Sequence, residues 1–209
     1  MNNPISINQA TTLTLLTGLG VMAAGLTPAC AQQSAATSKP AGLEYVLETV
    51  AIDSGERQTI YRTKDHIEAP NWSRDGSFML FNFKGGLYRM PADGSTKPRQ
   101  LDTGAAKKCN NDHGISFDGK QLAVSSRSPD KKSQIYVLPI DGGEARLVTP
   151  LSPSYWHGWS PDDQTLVYCA ERDGNFDIYS VPSAGGPEKR LTTSPGLDDG
   201  PEYSPDGKY

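Results

Sequence analysis

One short signature returns four times along this chain at an almost constant spacing. Each copy places a serine two residues before an aspartate, and the serines are Ser73, Ser116, Ser160 and Ser204. Successive serines lie 43, 44 and 44 residues apart. Self-similarity at such a period is typical of arrays built from one supersecondary unit. The signature therefore predicts a repeat protein, and its period matches a unit of four strands.

The signature itself has the chemistry of a tight turn. Its last copy, Ser204-Pro205-Asp206-Gly207, matches a type I turn, with proline setting the second position and glycine at the fourth. Apolar runs follow the first three copies at residues 78–81, 122–124 and 165–168. A second strand pattern, such as Ile135-Tyr136-Val137-Leu138-Pro139, and a glycine-rich turn complete each unit. Each repeat therefore reads as four strands that run up and down.

These repeats predict an all-β protein, a β-propeller of four-stranded antiparallel blades. We expect three complete blades near residues 71–101, 114–148 and 158–192. Two fragments flank them: residues 45–63 resemble the outer strands of another blade, and the last signature opens the next one. Three blades and two fragments do not close a ring, so we expect the sequence to be incomplete at its C-terminus.

The N-terminus has the composition of an export signal. Residues 1–31 contain no Asp, Glu, Lys or Arg, and an apolar run ends in Ala29-Cys30-Ala31. The small residues fit a signal-peptidase site with Gln32 as the mature start, and the run is too short to span a bilayer. We expect a signal at 1–31, a linker at 32–42 and the propeller at 43–209, with no transmembrane segment after cleavage. Lipidation of Cys30 is the alternative, and it would give an outer-membrane lipoprotein.

Net charge and cysteine content exclude other classes of protein. The net charge of -4 and a pI near 5.4 argue against a nucleic-acid partner, which requires a basic face. Beyond the signal only Cys109 and Cys169 remain, without metal-type spacing, and we expect two free thiols.

The Ser-Pro-Asp-Gly unit and the Ile-Tyr-x-x-Pro strand resemble the WD-like repeats of the TolB family of propellers. The resemblance covers about residues 42–209. It implies a propeller of six to eight blades in the periplasm, or secreted, that acts as a binding scaffold. Related repeats also occur in propellers attached to peptidases and in oligogalacturonate-lyase-like enzymes, so the repeat specifies the fold better than the function.

Candidate binding residues cluster just before the signature. Three residues before each serine stand Pro70, His113, His157 and Pro201, so two histidines share one position in adjacent blades. Loops feeding the innermost strands should bring polar and aromatic groups to the channel face. The candidate ligand-binding residues are Asn111, Asp112, His113, Trp156, His157, Asp198 and Asp199. Such side chains suit a sugar or a peptide.

Two other interpretations of the histidines stay open. Each ring can buttress its own blade by hydrogen bonding within its repeat, or His113 and His157 can serve as metal ligands. We predict no metal site, and the two histidines are the weak candidates for one. Trp72, Trp159 and Tyr203, which stand one residue before the signature serine in their copies, are predicted to pack between blades.

The sequence contains no complete catalytic motif. It has no Gly-x-Ser-x-Gly elbow, no His-Glu-x-x-His pair and no phosphate loop. We therefore predict no catalytic residue and no cofactor, and a scaffold that binds a protein or an oligosaccharide at the channel face. The alternative is an enzyme: a metal-assisted oligogalacturonate-type lyase, or the propeller of a peptidase whose catalytic domain is missing.

Overall fold

The computed structural model describes residues 42–209, and the architecture there is entirely antiparallel β-structure. The predicted signal at 1–31, with Cys30, and residues 32–41 of the linker lie outside the described residues. Within residues 42–209 there is no helix, and thus none of the length and apolarity that crossing a membrane requires.

Fourteen strands follow one another along residues 42–209. They are β1 (Tyr45–Val50), β2 (Arg57–Thr63), β3 (Ile67–Trp72), β4 (Phe78–Phe83), β5 (Gly86–Pro91), β6 (Arg99–Gln100), β7 (Cys109–Ile115), β8 (Gln121–Arg127), β9 (Ser133–Pro139), β10 (Arg146–Leu147), β11 (Ser154–Trp159), β12 (Thr165–Arg172), β13 (Asn175–Pro182) and β14 (Lys189–Arg190).

The strands form three four-stranded meanders and one two-stranded sheet. Strands β3 to β6 make blade 1, β7 to β10 make blade 2, and β11 to β14 make blade 3, each in sequential order. Strands β1 and β2 pair only with each other. The inner strand of blade 2 lies against blade 1, and that of blade 3 lies against blade 2. The predicted fold class, a partial propeller of four-stranded blades, is confirmed.

Each signature turn is closed by the same hydrogen bonds. In the second copy, Ser116 Oγ donates to an Asp118 carboxylate oxygen at 2.7 Å and accepts from the Gln121 amide at 2.9 Å. The Gly119 amide donates to the Ser116 carbonyl at 3.1 Å, the bond of a β-turn. Equivalent serine–aspartate bonds occur in the other three copies, at 2.5–2.7 Å. The turn therefore fixes where each inner strand ends and the next strand begins.

The second strand of each blade is buried on both faces because blades stack face to face. In β8, Leu122 and Val124 pack toward blade 1, whereas Ala123 between them packs toward blade 3. Successive side chains of a strand point to opposite faces, so a strand between two neighbours needs a continuous apolar run. This explains why the segments after the signature turns do not alternate between apolar and polar residues.

The two-stranded sheet occupies the place of the outer strands of a blade. A Cβ on Gly94, in the β5–β6 turn, would lie 2.7 Å from the Ile60 carbonyl oxygen of β2. In the next blade, a Cβ on Gly142 would lie 2.6 Å from the carbonyl oxygen of Asp102, which follows β6. Both glycines have positive φ, so each allows its turn to approach the preceding blade closely. Strand β2 thus meets blade 1 where β6 meets blade 2.

The third signature has Asp163 where the other copies have glycine, and the Asp163 side chain links two blades. Asp163 adopts the left-handed conformation (φ 59°) that glycine adopts in the other copies. Its carboxylate accepts hydrogen bonds from the backbone amides of Phe117 at 2.6 Å and Asp118 at 2.8 Å, in the preceding blade's turn. The charge-assisted bonds offset the cost of this backbone conformation.

The joint between blades 2 and 3 depends on Gly114. Trp156 is 8% exposed, and a Cβ on Gly114 would lie 2.1 Å from its Cη2 atom. Gly114 and Gly86 both lie in strands without positive φ, but the nearest neighbour of a Cβ on Gly86 is the end of the Gln100 side chain. An exposed, flexible glutamine moves away at little cost, whereas a buried indole does not.

We therefore expect Gly114→Ala to destabilise the protein by about 1–3 kcal/mol through overpacking, and Gly86→Ala to leave it nearly unchanged. Urea unfolding followed by tryptophan fluorescence measures both. Equal midpoints for the two variants would show that the indole does not rest on Gly114.

Candidate functional site

The inner strands of the blades begin four to five residues earlier than the sequence indicated. Strand β7 starts at Cys109 and β11 at Ser154, whereas the predicted blades start at 114 and 158. Asn111, Asp112 and His113 therefore lie in β7, and Trp156 and His157 lie in β11, rather than in the loops that lead into them. The prediction that Asn111, Asp112 and Trp156 sit on loops is wrong, because the strands continue through an irregular segment.

That irregular segment is a β-bulge in the same part of each inner strand, but its bounds differ from blade to blade. The pairing shifts register between Glu68 and Asn71, between Cys109 and His113, and between Trp156 and Gly158. A bulge leaves residues unpaired and re-aims their side chains, which is why bulges are common beside binding sites. The positions that carry Pro70, His113 and His157 all lie in or beside these bulges.

On the second strand of each blade, one polar side chain forms hydrogen bonds with the backbone that follows in the chain beyond that blade. Nine residues after the signature serine stand Asn82, Ser125 and Cys169. Asn82 donates to the carbonyls of Cys109 and Asn110 at 2.9 Å, and Ser125 Oγ accepts from the Trp156 amide at 2.8 Å. The Cys169 thiol donates to the Asp198 carbonyl at 3.2 Å. These equivalent contacts fix the backbone that carries the candidate residues.

His113 is buried in the interior rather than presented at the channel face. Its ring is 4% exposed, and burial lowers its pKa from 6.5 to about 4, partly opposed by the nearby carbonyls of Asn110 and Ala69. Within residues 42–209 neither ring nitrogen forms a hydrogen bond of good geometry. The structure thus supports a packing role for His113, without the hydrogen bonds that the buttress interpretation expected.

His157, at the equivalent position, faces the channel side of the bulge. Its side chain is 25% exposed, and Nε2 lies 3.0 Å from a carboxylate oxygen of Asp199. Asp199 is itself about one-third exposed. The difference between the two histidines follows from the bulges, because His113 pairs with Val124 in regular register whereas His157 lies at the register shift itself.

Asp112 completes a group of charged side chains around His157. Burial raises the pKa of the Asp112 carboxyl, His157 lowers it, and the carboxylates of Asp199 and Glu68 raise it further. The Asn110 side-chain amide donates to Asp112 at 2.6 Å. We call Glu68, Asp112, His157 and Asp199 the channel-face cluster. It contains three carboxylates and one imidazole, of which Asp199 contacts His157 and Glu68 contacts His66 at 3.5 Å.

Glu68 was missed by the sequence interpretation, although the repeat contains the signal for it. It stands five residues before the signature serine, as do Asn111, Tyr155 and Asp199 in the later copies. Comparing that position across the four copies, instead of only the histidine position, would have identified it.

The remaining candidates have separate environments. Asn111 is exposed and lines a cavity of about 620 Å³ between blades 1 and 2, together with His66 and Glu68. Trp156 packs on Gly114 and, within the described part of the chain, its Nε1 has no hydrogen-bond partner. One carboxylate oxygen of Asp198 is likewise buried and unpaired among residues 42–209. The structure therefore groups Asp112, His157 and Asp199, and separates His113 and Trp156 from them.

Cysteines and metal ligands complete the description of the site. Cys109 and Cys169 are buried thiols that form no disulfide among residues 42–209, and burial raises the pKa of the Cys109 thiol to about 11. No group of three or more His, Cys, Asp or Glu side chains between residues 42 and 209 has an arrangement that could hold a metal ion.

Comparison with known proteins finds several relatives. No family model matches the chain. It is 48% identical over 163 residues to an uncharacterized protein of Agrobacterium fabrum, covering 78% of this chain and 56% of the relative. It is 30% identical over 148 residues to the Tol-Pal system protein TolB of Bordetella pertussis, covering 69% of this chain and 34% of the relative. The chain thus spans between a third and just over half of these relatives.

Solved structures agree with these relatives. A structure from Agrobacterium tumefaciens, provisionally assigned as TolB, is 48% identical with a TM-score of 0.74, covering 78% of this chain and 59% of that one. TolB from Acinetobacter baumannii has a TM-score of 0.65 at 22% identity, covering 78% and 41%. A manganese complex of oligogalacturonate lyase shares the fold alone, with a TM-score of 0.58 at 21% identity, covering 78% and 49%.

The repeated signature turns, the four-stranded blades and these relatives lead to one assignment. The chain belongs to the TolB-like family of β-propellers with WD-like repeats.

Proposed function

We propose that this propeller is a non-enzymatic binding scaffold, and that the channel-face cluster is its recognition site. The observation that supports the proposal most directly is the state of Asp112, a carboxyl held mostly buried among other acidic groups. Such an arrangement costs folding free energy, and residues of this kind concentrate at functional sites. A packing role would not require it.

The charge of the cluster favours a cationic or neutral partner. The cluster contains three carboxylates and one imidazole. The His157–Asp199 contact at 3.0 Å uses that imidazole, and Glu68 lies 3.5 Å from the neighbouring His66 ring. A lysine or arginine of a partner protein, or the hydroxyl groups of a neutral glycan, would find acceptors there. A polygalacturonate chain would instead bring further carboxylates into the same site, which argues against the lyase alternative.

The names of the relatives support a protein as the partner. Two of the relatives, both from Bordetella species, are named Tol-Pal system protein TolB, and we take that name to favour a protein partner. We therefore place a basic segment of a partner protein ahead of a glycan as the ligand of the channel-face cluster.

The compartment that fits this family is the periplasm. The uncharged, apolar N-terminus and the small residues before Gln32 support export. We propose a soluble periplasmic protein after cleavage at that position. Attachment of a lipid to Cys30 would instead anchor the same propeller to the outer membrane.

The recognition site can be tested with an array of defined ligands. We expect the wild-type protein to retain basic peptides or neutral oligosaccharides and to reject oligogalacturonates. The variants Asp199→Asn and His157→Gln should lose that retention, because each removes a partner of the 3.0 Å contact, while their circular dichroism stays unchanged.

The matched control is Asp53→Asn, which removes one carboxylate from the exposed β1–β2 turn far from the channel. Retention that survives in both cluster variants, or that the control loses equally, would contradict the proposed site.

A second prediction concerns the stability cost of Asp112. Its raised pKa means that the folded state disfavours the charged form, so Asp112 lowers stability above its folded pKa. Asp112→Asn keeps an acceptor for Asn110 but carries no charge. We expect the variant to melt at a higher temperature than the wild type at pH 7.

The advantage of Asp112→Asn should shrink as the pH falls through the raised pKa, because the wild-type carboxyl is then neutral too. Melting curves between pH 7 and pH 4 measure it. A lower melting temperature for the variant at pH 7 would show that the charge stabilises the fold, and would remove the argument for function.

A further inference from the structure

A cleft at the opposite end of the blades from the channel-face cluster has the chemistry of an anion site. It lies between blades 1 and 2, beside the end of β5 and the start of β6, and measures about 500 Å³. Its basic wall consists of Arg89, Lys97 and Arg99, with Asp141 as its one acidic residue. The cleft therefore has a net positive charge in a chain whose net charge is -4.

Only one of the three basic residues is used by the fold. Arg89 pairs with Asp141 of the next blade at 2.6 Å, and its guanidinium lies 3.6 Å from the centre of the Phe78 ring. Within residues 42–209, Lys97 and Arg99 form neither an ion pair nor a side-chain hydrogen bond. Both are exposed. Their charges are available to a ligand.

In the equivalent gap between blades 2 and 3, a different arginine contacts the next blade. There the arginine at the position of Arg99 is Arg146, which donates to the Ser183 carbonyl of the next blade at 2.8 Å. Val137 stands where blade 1 has Arg89. In blade 1, Arg89 makes the contact to the next blade, through Asp141, and Arg99 does not take part in it.

We propose that this cleft binds a phosphate group carried on a partly apolar molecule. Arg99 and Lys97 provide a forked donor and a point-charge donor for a tetrahedral oxyanion, and Thr96 and Gln100 add neutral donors. Phe78, Met90 and Leu101 line the same cleft and supply an apolar wall. A phosphate ester with a hydrophobic part matches both surfaces.

The probe for this site is phenyl phosphate, titrated into the full chain by calorimetry. We expect saturable binding that weakens with added salt. Arg99→Gln should weaken it roughly tenfold, the loss expected for one charge-assisted contact, and Lys97→Gln should weaken it less. The matched control is Lys132→Gln, an exposed lysine at the other end of blade 2. It should bind as the wild type does.

Unchanged affinity in Arg99→Gln, or an equal loss in Lys132→Gln, would overturn the proposal, since the charge at this cleft would then be irrelevant. Loss of binding in His157→Gln with Arg99→Gln intact would also overturn it, by placing the anion at the channel face. Vesicles containing phosphatidylglycerol distinguish the source of the phosphate. Co-sedimentation reversed by phenyl phosphate assigns it to a lipid headgroup, and binding of phenyl phosphate without co-sedimentation assigns it to a soluble ester.

Discussion

Packing of each blade against the next is the constraint on which the rest of this structure depends. Within residues 42–209 each of the three hydrophobic clusters joins two neighbouring sheets. In blade 2, Leu122 and Val124 face blade 1 and Ala123 faces blade 3. Stability is therefore shared across the joints, as in other repeat proteins. The joints also limit where a ligand can bind. They bury the faces of the strands, so the ends of the strands remain accessible for recognition.

Local chemistry made the blades predictable from the sequence. The serine and aspartate of each signature close a turn through bonds between residues at most five apart, such as those of Ser116 to Asp118 and Gln121. Interactions of that range depend only on residues that are close together in the sequence. The bulges were not predictable in this way, because they arise from contacts such as Asn82 with the carbonyls of Cys109 and Asn110 in the next blade. Trp72 shows the same limit: it is 39% exposed, whereas Trp159, at the same position, is 3% exposed and hydrogen-bonded to Gly114 of the preceding blade.

The candidate site shows how repetition permits divergence. His113 and His157 occupy one position in the repeat, yet one ring fills the interior and the other contacts Asp199. Their equal position in the repeat predicted equal roles. The two bulges lie differently around them and give the two rings different environments. The resulting cluster places Asp112 where its charge is unfavourable, while packing elsewhere in the blades compensates. In this account the joints between blades stabilise the fold. That stability offsets the cost of holding the charged groups of the channel-face cluster at the strand ends.

The division of roles between the two histidines is the central claim, and an NMR titration of the imidazole signals tests it most directly. The protein has three histidines, so His66→Gln and His157→Gln variants suffice to assign the spectrum. The account predicts that His113 stays neutral as the pH falls from 8 until about pH 4, because its ring is buried without a charged partner. Titration of His113 near 6.5, the value of an exposed imidazole, would contradict it and return this histidine to the channel face.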